Sequence, residues 1–588
     1  MDSKHVTEST SGQKDIQKTW WKEAIIYQIY PRSFQDSDGD GIGDLNGITS
    51  RLDYIQSLGV DIIWLNPIFL SPNDDNGYDI SDYREIMREF GTMEDFDRLL
   101  KEIHKREMRL VLDLVVNHTS DEHPWFEEAR KSRHNPYYNY YHWWPAEKGE
   151  PPLRLSYFDE EGNAWTYNKP TDSYYLHYFS RKQPDLNWEN PEVRQEIFDM
   201  MRFWFDKGID GFRMDSISLI AKDPSFPLID SKKYPDIFSF YAKEPRLHLY
   251  LHEMNRQVLS KYDCMSVGEG SAVMVDDVAK FVDPAREELN MLYHFDAARI
   301  RNTTLPDNPE SGIDYSLIAL KKMFTEWDKA VDKGWPSIYL GNHDQPRMVS
   351  RFGSDKDEFR ALSAKMLITF LLTMRGTPYW FAGDEIGMRN IRFDRIEDYN
   401  DIDTINRYKK AKAEGKDPQA VLDEQKETGR DNARTPFQWD RSPEAGFTAG
   451  TPWLKVNPDY TWINVADEEK DPTSILNYFK KVVSFRKENP SLIYGSYHLL
   501  DAENPQCYIF LRKTGADTYL IMLNFSPKAA ISTPGIDMSN AHVLLDNYGD
   551  RSHMAPQKDI TLRPFEAIVF QLNHPVYESF IDSLDLLE

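Results

Sequence analysis

Eight short apolar runs, separated by amphipathic or irregular segments, constrain the fold of this chain most strongly. The runs cover residues 24–30, 60–66, 110–116, 209–215, 265–269, 292–295, 337–342 and 378–382. Two of the segments between them, 93–105 and 191–207, have the apolar spacing of helices. Alternation of buried strands with helices is typical of βαβ units. Eight such units predict an α/β protein built on a closed (β/α)8 TIM barrel.

Two insertions and a change of pattern near residue 500 divide the rest of the chain. About 90 residues separate the third and fourth runs, and the stretch 117–187 is rich in aromatic, proline and polar residues. Because loops of that length are uncommon, we predict an inserted domain at 117–187 and place the barrel at 1–116 and 188–500. A charged insertion at about 392–434 has a helical pattern over 404–428. Period-2 strands predict an all-β C-terminal domain at 501–575, and an acidic tail at 576–588 has the pattern of a short helix.

The charge balance limits the partners that the chain is expected to bind. Its 588 residues include 96 acidic and 70 basic side chains, a net charge of −26, which disfavours nucleic acids and anionic membranes. There is no apolar run of about 18 residues for a membrane span, and the polar start lacks a signal-peptide core. The two cysteines, Cys264 and Cys507, suggest reduced thiols. We expect a cytoplasmic monomer that acts on a neutral small molecule.

Three acidic residues stand at the carboxyl ends of predicted strands. Asp215 and Glu269 each end an apolar run, and Asp344 follows the seventh run within 342–344 (NHD). The carboxyl ends of barrel strands form one mouth, so these side chains are expected to meet there. Two carboxylates beside one bond are what retaining glycoside hydrolysis requires.

The neighbours of each acid suggest its role. Arg213 lies two residues before Asp215 on the same face of the strand, and a guanidinium there would keep Asp215 ionised, as a nucleophile needs. Glu269 has no basic neighbour in sequence, so its carboxyl is expected to stay protonated and act as the general acid. Asp344, beside His343, suits hydrogen bonding to sugar hydroxyls.

Acidic residues alternate in the loop that follows the first run. The candidate oxygen ligands are Asp36, Asp38, Asp40, the Ile42 carbonyl and Asp44. Alternate carboxylates in a glycine-containing loop suit a hard cation. The EF-hand pattern does not fit, because its twelfth position is Gly47 rather than Glu. We predict a structural Ca²⁺ site in this loop, with Mg²⁺ as the alternative ion.

Five short segments resemble a known enzyme family. They are 113–118 (DLVVNH), 183–187 (QPDLN), 211–215 (GFRMD), 267–269 (VGE) and 341–344 (GNHD). In this order they resemble the α-amylase superfamily of glycoside hydrolases, and 183–187 resembles the motif of its oligo-1,6-glucosidase/α-glucosidase group. The resemblance runs from about residue 20 to about residue 572. It implies an inserted domain at 117–187 and a calcium loop at 36–44.

The resemblance also implies a role for each matched residue. Asp215 matches the nucleophile, Glu269 the acid/base and Asp344 the transition-state stabiliser. The matched sugar-binding residues are His118, Arg213 and His343 around the glucosyl ring, Tyr78 as a stacking platform, and Asp75 with Arg430 as a clamp on the non-reducing end. Arg434 is the alternative partner of Asp75. Such a clamp closes the pocket behind the terminal sugar and implies release of one glucosyl unit at a time.

The residue after the nucleophile leaves the preferred linkage open. In the family, Val at this position accompanies α-1,6 cleavage, and Thr followed by Ala accompanies α-1,4 cleavage. Here Ser216 is followed by Ile217. This pair favours short α-1,6- or mixed-linkage oligosaccharides and leaves sucrose as a further candidate substrate.

Three alternative functions are open. Sucrose isomerases and transglucosylases use the same barrel, and the isomerases carry an Arg-rich segment between the sixth and seventh strands, which Arg299 and Arg301 match poorly. Catalytically dead relatives serve as subunits of amino-acid transporters, but they carry a membrane span and lack the active-site acids. A sugar-binding protein without turnover would depend on aromatic clusters alone.

Overall fold

The eight predicted runs form one parallel sheet. The computed structural model describes residues 18–158, 162–230, 232, 237–515, 517–536, 538, 541–551 and 559–572. The strands are β1 (Ile26–Ile29), β2 (Ile62–Leu65), β3 (Arg109–Val115), β4 (Gly211–Asp215), β5 (Met265–Glu269), β6 (Met291–Tyr293), β7 (Ser337–Ile338) and β8 (Thr377–Phe381). Their order is β6-β5-β4-β3-β2-β1-β8-β7. The prediction of a (β/α)8 barrel is confirmed.

Side chains close the seam between β6 and β7. The Ser337 hydroxyl donates to the Leu292 carbonyl at 2.9 Å, and the Tyr339 hydroxyl donates to the His294 carbonyl at 2.6 Å. The strand β7 is shorter than the predicted 337–342 run, because its backbone pairing with β8 covers only Ser337 and Ile338. Asp344 therefore lies in a loop, where its backbone N–H donates to the Asn342 side chain at 2.9 Å.

Helices alternate with the strands as predicted. The longer ones are Met93–Lys105, Pro191–Lys207, Arg246–Gln257, Asp296–Thr303, Leu317–Ala330, Arg360–Thr373 and Ile475–Glu488, with Leu45–Ser50 and Leu52–Ser57 between β1 and β2. The helix Met93–Lys105 begins with a capping box, in which the Thr92 and Asp95 side chains each accept from the other's backbone N–H.

The segment 117–187 leaves the barrel after β3 and returns before β4. It carries a three-stranded antiparallel sheet with the order Trp143–Pro145, Ser173–Leu176, Trp165–Asn168. Its two ends meet, since His118 and Asp185 form an antiparallel bridge. The insertion therefore stands on the carboxyl ends of the strands.

The second insertion contains two helices rather than one continuous helical stretch. They are Ile402–Ala413 and Pro418–Thr428. Gly415, with φ of 71°, lies between them in the left-handed region that breaks a helix. The Thr404 hydroxyl donates to the Gln425 side chain at 2.8 Å and ties the two helices together.

An antiparallel sheet forms the C-terminal part of the described chain. Its order is Ser496–Leu500, Cys507–Thr514, Asp517–Asn524, Ala567–Leu572 and His542–Asp546, and Ala530–Ser532 pairs with Ile560–Leu562 beside it. The sheet begins at Ser496, before the predicted boundary at residue 501. The tail at 576–588 lies outside the described residues. In the described part of the chain, no helix has the length and apolar character needed to cross a membrane.

Candidate active site

Strand register brings Arg213 between two acidic strands. Arg213 on β4 is level with Asp113 on β3 and with Val267 on β5, two residues before Glu269. Its guanidinium is fully buried and donates through Nη1 to Asp113 at 2.8 Å. The side chains that project from these strand ends therefore converge on the Arg213 guanidinium.

The same guanidinium joins the two predicted catalytic acids. Arg213 Nη1 donates to Asp215 Oδ1 at 2.8 Å, and Nη2 donates to Glu269 Oε2. Glu269 has no basic neighbour in sequence, but the adjacent strand supplies one in space. The Ser271 hydroxyl also donates to Glu269, at 2.7 Å to Oε1.

The two carboxyl groups nevertheless differ in acidity. Burial, together with the charges of Asp215 and Asp344, raises the pKa of Glu269 to about 8 against the opposing charge of Arg213. Burial raises the pKa of Asp215 to about 6, again opposed by Arg213. Near neutral pH, Glu269 is therefore mostly protonated and Asp215 mostly ionised, which is the division of protons expected for a general acid and a nucleophile.

Asp344 lies among cationic and hydrogen-bonding groups. Arg434 Nη2 and Arg430 Nη1 donate to its Oδ1 at 3.0 and 3.3 Å, and His343 Nε2 is 3.1 Å from its Oδ2. Burial acts to raise the pKa of Asp344, but these neighbours outweigh it and hold the pKa well below its usual range. Asp344 is therefore a permanent negative charge at the mouth.

The predicted clamp residues are together on the other side of the mouth. Arg430 Nη2 lies 3.3 Å from Asp75 Oδ1. Arg434 instead donates to Asp344 and, at 2.9 Å, to the His343 carbonyl. Burial raises the pKa of Asp75 to about 7 despite the opposing charge of Arg430. The structure thus places Arg430, rather than Arg434, beside Asp75.

Tyr78 and His343 form a stacked pair beneath the mouth. Their ring centroids are 5.3 Å apart at an angle of 8°, and the Tyr78 hydroxyl is 2.7 Å from His343 Nε2. Gln28 Nε2 lies 2.8 Å from His343 Nδ1. Because this amide donates to Nδ1, the proton of the neutral ring is on Nε2, which faces Asp344 and Tyr78.

His118 joins the inserted domain to this site. Its Nε2 is 3.0 Å from the Tyr78 carbonyl and 3.2 Å from Gln183 Nε2. Gln183 also donates to Asp75 Oδ2 at 3.2 Å. Burial lowers the pKa of His118 to about 3, so the ring is neutral and available for hydrogen bonding.

These groups surround one cavity of about 380 Å³. The predicted site residues that line it are Asp75, Tyr78, His118, Asp215, Glu269, Asp344 and Arg430. Arg213 and His343 are fully buried behind this lining and support it. The cavity is also lined by a group of contacting aromatic rings, Tyr157, Phe158, Phe179 and Phe238, and by Phe295.

Several residues of the site were not singled out from the sequence. Tyr293 accepts from Arg213 Nε at 2.9 Å, Ser271 donates to Glu269, and Asp401 accepts from Arg430 Nε at 2.7 Å. Ser271 follows Glu269 by two residues, so the period of an extended chain was a signal for it. Asp401 lies far away in sequence, in the second insertion, and no local pattern marks it.

The residue after Asp215 has an unusual backbone conformation. Ser216 has φ of 44° and ψ of 30°, in the left-handed region that non-glycine residues rarely adopt. It also lines the cavity. The turn at Ser216 ends β4 abruptly and leaves the Asp215 side chain at the cavity wall, and such backbone strain is concentrated at functional sites.

The acidic loop lies apart from this cavity. Oxygen atoms of Asp36, Asp38 and Asp40 are all within 4.8 Å of one another. Asp44 caps the helix Leu45–Ser50 by accepting from the Gly47 backbone N–H at 2.7 Å. A Cβ atom at Gly41 would come within 1.8 Å of the Thr451 carbonyl, so the loop packs closely on the segment that follows the second insertion.

Comparison with known proteins matches this arrangement to one family. The model of the α-amylase catalytic domain matches residues 28–495. An oligo-1,6-glucosidase from Parageobacillus thermoglucosidasius is 51% identical over 95% of this chain and 100% of the relative, and one from Bacillus cereus is 49% identical over 95% and 100%. The solved isomaltulose synthase from Protaminobacter rubrum is 43% identical with a TM-score of 0.89, covering 95% of this chain and 100% of that one. The chain belongs to the α-amylase family of glycoside hydrolases.

Proposed function

We propose that this enzyme is an exo-acting α-glucosidase that retains the configuration of the sugar and forms a covalent glucosyl–Asp215 intermediate. The observation that carries the proposal is the contact of one Arg213 guanidinium with both Asp215 and Glu269 at a single cavity. Retaining enzymes need two carboxyl groups close together, whereas inverting enzymes leave room between them for a water molecule. The shared guanidinium favours the close pair.

In the first half-reaction Glu269 acts as the acid and Asp215 as the nucleophile. Glu269, with its pKa of about 8, donates a proton to the leaving glycosidic oxygen. The ionised Asp215 attacks the anomeric carbon and forms an ester bond as the glycosidic bond breaks. The negative charge of Asp344 stabilises positive charge that develops on the ring.

In the second half-reaction the same glutamate works as a base. The charge of Asp215 raises the pKa of Glu269, so forming the ester removes that charge and lowers the pKa. Glu269 is then better able to accept a proton from the attacking water. Water attack on the anomeric carbon breaks the ester and regenerates the Asp215 carboxylate.

The clamp supports attack at the chain end. Asp75 and Arg430 line the cavity together, with Arg430 Nη2 3.3 Å from Asp75 Oδ1. A carboxylate and a guanidinium side by side offer both an acceptor and donors to sugar hydroxyls. We therefore infer release of one terminal glucosyl unit at a time.

Short α-1,6-linked oligosaccharides are the proposed substrates. The two most similar relatives named above are oligo-1,6-glucosidases. Ser216 and Ile217 at the end of β4 agree with an α-1,6 or mixed preference, and Ser216 lines the cavity. We propose that the enzyme acts on small neutral carbohydrates as a cytoplasmic monomer.

We also propose a structural Ca²⁺ ion in the acidic loop, with Mg²⁺ as the alternative. Asp36, Asp38 and Asp40 already hold their oxygens within 4.8 Å of one another, which fits one small cation. The Ile42 carbonyl and Asp44 are the further ligands proposed. Such an ion would neutralise adjacent carboxylates and fix the loop, without contact with the reacting atoms.

Sucrose isomerisation is the second candidate. The solved isomaltulose synthase supports it, and Arg299, in the segment between β6 and β7, lines the cavity. In that reaction the released fructose, rather than water, would attack the glucosyl ester.

Product analysis tests the proposed function. Purified enzyme is incubated with isomaltose, maltose and sucrose, and the products are separated by chromatography. We expect isomaltose to yield free glucose fastest, and no glucose from any of the three would overturn the proposal. Isomaltulose or trehalulose in excess of free glucose from sucrose would establish the second candidate instead. Asp215→Asn serves as the inactive control.

A further inference from the structure

Arg430, the clamp arginine, makes shorter contacts with Asp401 than with the acids that line the cavity. Arg430 Nε and Nη2 lie 2.7 and 2.5 Å from Asp401 Oδ1. Its contacts with Asp75 and Asp344, the two acids that line the cavity, are both 3.3 Å. Charge-assisted hydrogen bonds between nitrogen and carboxylate oxygen are strongest below about 2.9 Å, so Asp401 is the principal anchor of Arg430.

Asp401 is itself fixed on all sides. Its side chain is fully buried, and Oδ2 accepts from the Thr404 backbone N–H at 3.1 Å and from the Thr404 hydroxyl at 2.8 Å. In this way it caps the helix Ile402–Ala413. Its own backbone N–H donates to Asp431 Oδ2 at 2.9 Å. The carboxylate that holds Arg430 therefore has little freedom to move.

The same helix reaches the wall of the cavity. Asn406 donates to the carbonyl of Phe158 in the inserted domain, and the guanidinium carbon of Arg430 lies 4.9 Å from the centre of the Phe158 ring. One helix of the second insertion therefore contacts both the clamp arginine and the aromatic residue that covers it.

We propose that Asp401 is a positioning residue that holds Arg430 at 3.3 Å from Asp75 and Asp344 rather than closer, so that its forward N–H groups make only long contacts with these acids and are available to bind the terminal sugar. The inference rests on the proposed function, because it gives Arg430 a sugar to bind. Asp401 itself does not line the cavity.

Loss of this anchor affects substrate binding more than chemistry. Without the negative charge of Asp401, the guanidinium of Arg430 is drawn toward the two acids in front of it and occupies the place of the sugar hydroxyls. Asp344 keeps its contacts with Arg434 and His343 at 3.0 and 3.1 Å. The charge that stabilises the transition state therefore stays in position when Arg430 moves.

Steady-state kinetics on isomaltose test the inference with the full-length enzyme. Asp401→Asn keeps the size of the side chain and an oxygen acceptor for the helix cap but removes the charge. We expect KM to rise about tenfold or more while kcat changes less than about threefold. Asp401→Glu, which retains the charge, should restore part of the loss, and it provides a second folded variant if Asp401→Asn is unstable.

The matched control is Asp403→Asn in the same turn of the helix. Asp403 pairs with Arg407 at 4.0 Å, and we expect its loss to change KM less than about twofold. In an Arg430→Met background, adding Asp401→Asn should change KM less than about twofold further, since Asp401 acts through Arg430. Equal effects at 401 and 403, or additive effects of Asp401→Asn and Arg430→Met, would overturn the inference. A wild-type enzyme inactive on isomaltose would instead contradict the proposed function.

Discussion

Glu269 and Asp215 contact the same arginine, but their pKa values differ. Both carboxyls are buried, and both accept a hydrogen bond from the Arg213 guanidinium. Burial is the main cause that raises both pKa values, to about 8 for Glu269 and about 6 for Asp215, and nearby carboxylates raise both. The environment, rather than the residue type, assigns the acid and the nucleophile.

The first prediction concerns the pH dependence of kcat/KM. Activity requires ionised Asp215 and protonated Glu269, so it should rise as pH increases through about 6 and fall as pH increases through about 8. The measurement is the pH profile of kcat/KM on isomaltose. A profile without a basic limb up to the pH at which the enzyme unfolds would contradict the assignment of Glu269 as the acid.

The variant Ser271→Ala sharpens this measurement. The Ser271 hydroxyl stabilises the Glu269 carboxylate by donating to it at 2.7 Å, and its contribution lowers the pKa of Glu269. Removing the donor should move the basic limb to higher pH and leave the acidic limb in place. A shift of the acidic limb instead would show that the Ser271 hydroxyl acts on a group other than Glu269.

The second prediction separates the roles of the two acids by leaving group. Glu269→Gln should slow isomaltose hydrolysis by about 10²–10⁴-fold. It should slow formation of the glucosyl ester from p-nitrophenyl α-glucoside far less, because that leaving group departs without a proton. Pre-steady-state release of p-nitrophenol measures the step. Equal losses on both substrates would remove Glu269 from the acid role.

At the scale of elements, the apolar runs predicted the strands well because parallel strands are buried on both faces. The run 265–269 matches β5 completely. Register was the missing information: the sequence places Arg213 two residues before Asp215, but its contact with Glu269 depends on the alignment of β4 with β5. A contact between neighbouring strands cannot be read from either strand alone.

The second insertion exposes a further limit of local patterns. Its helices were predicted from charge and periodicity, yet the link from Asp401 to Arg430 spans 29 residues and two helices. Local sequence indicates a helix start at Asp401 through its capping role. It cannot indicate that the other oxygen of the same carboxylate holds the clamp.

The third prediction belongs to the acidic loop. If a cation binds there, it stabilises the folded state by about 2.7 kcal/mol at a free ion concentration of about 100 times Kd. A chelator should therefore lower the melting temperature, while turnover at low temperature stays nearly unchanged because the loop lies apart from the cavity. Differential scanning calorimetry with and without added Ca²⁺ is the measurement.

Matched variants identify the ligands. Asp38→Asn and Asp40→Asn remove carboxylates from the cluster and should abolish the effect of the chelator on melting. Glu150→Gln, at an exposed position outside the loop, should leave that effect intact. A chelator effect that survives in both loop variants would place the ion elsewhere.

At the scale of the whole molecule, the buried Arg512 joins the C-terminal sheet to the barrel, and the buried Arg486 joins segments of the barrel next to it. Arg512 donates to the carbonyls of Thr373 and Leu492 at 2.5 and 2.7 Å, and Arg486 donates to those of Leu372 and Met374 at 2.8 and 2.9 Å. Both side chains are fully buried. The sequence patterns predicted the barrel and the C-terminal sheet. They did not predict the contact between the two through buried arginines, because arginines usually lie at the surface.

The whole active site also depends on separate parts of the chain. The barrel supplies Asp215, Glu269 and Asp344, the inserted domain supplies His118, and Arg430 lies at the end of the second insertion. The strand-end pattern predicted that Asp215, Glu269 and Asp344 meet at one mouth, and the resemblance identified His118 and Arg430. That both insertions contribute to the same cavity became visible only in the fold.

Trapping the glucosyl ester tests this mechanism most directly. Glu269→Gln is incubated with α-glucosyl fluoride, whose leaving group needs no acid, and the ester accumulates because water lacks its base. After acid quench and proteolysis, mass spectrometry should locate one glucosyl residue on the peptide that contains Asp215, and Asp215→Asn should give no adduct. A glucosyl residue on another side chain, or no adduct together with release of β-glucose, would contradict the mechanism.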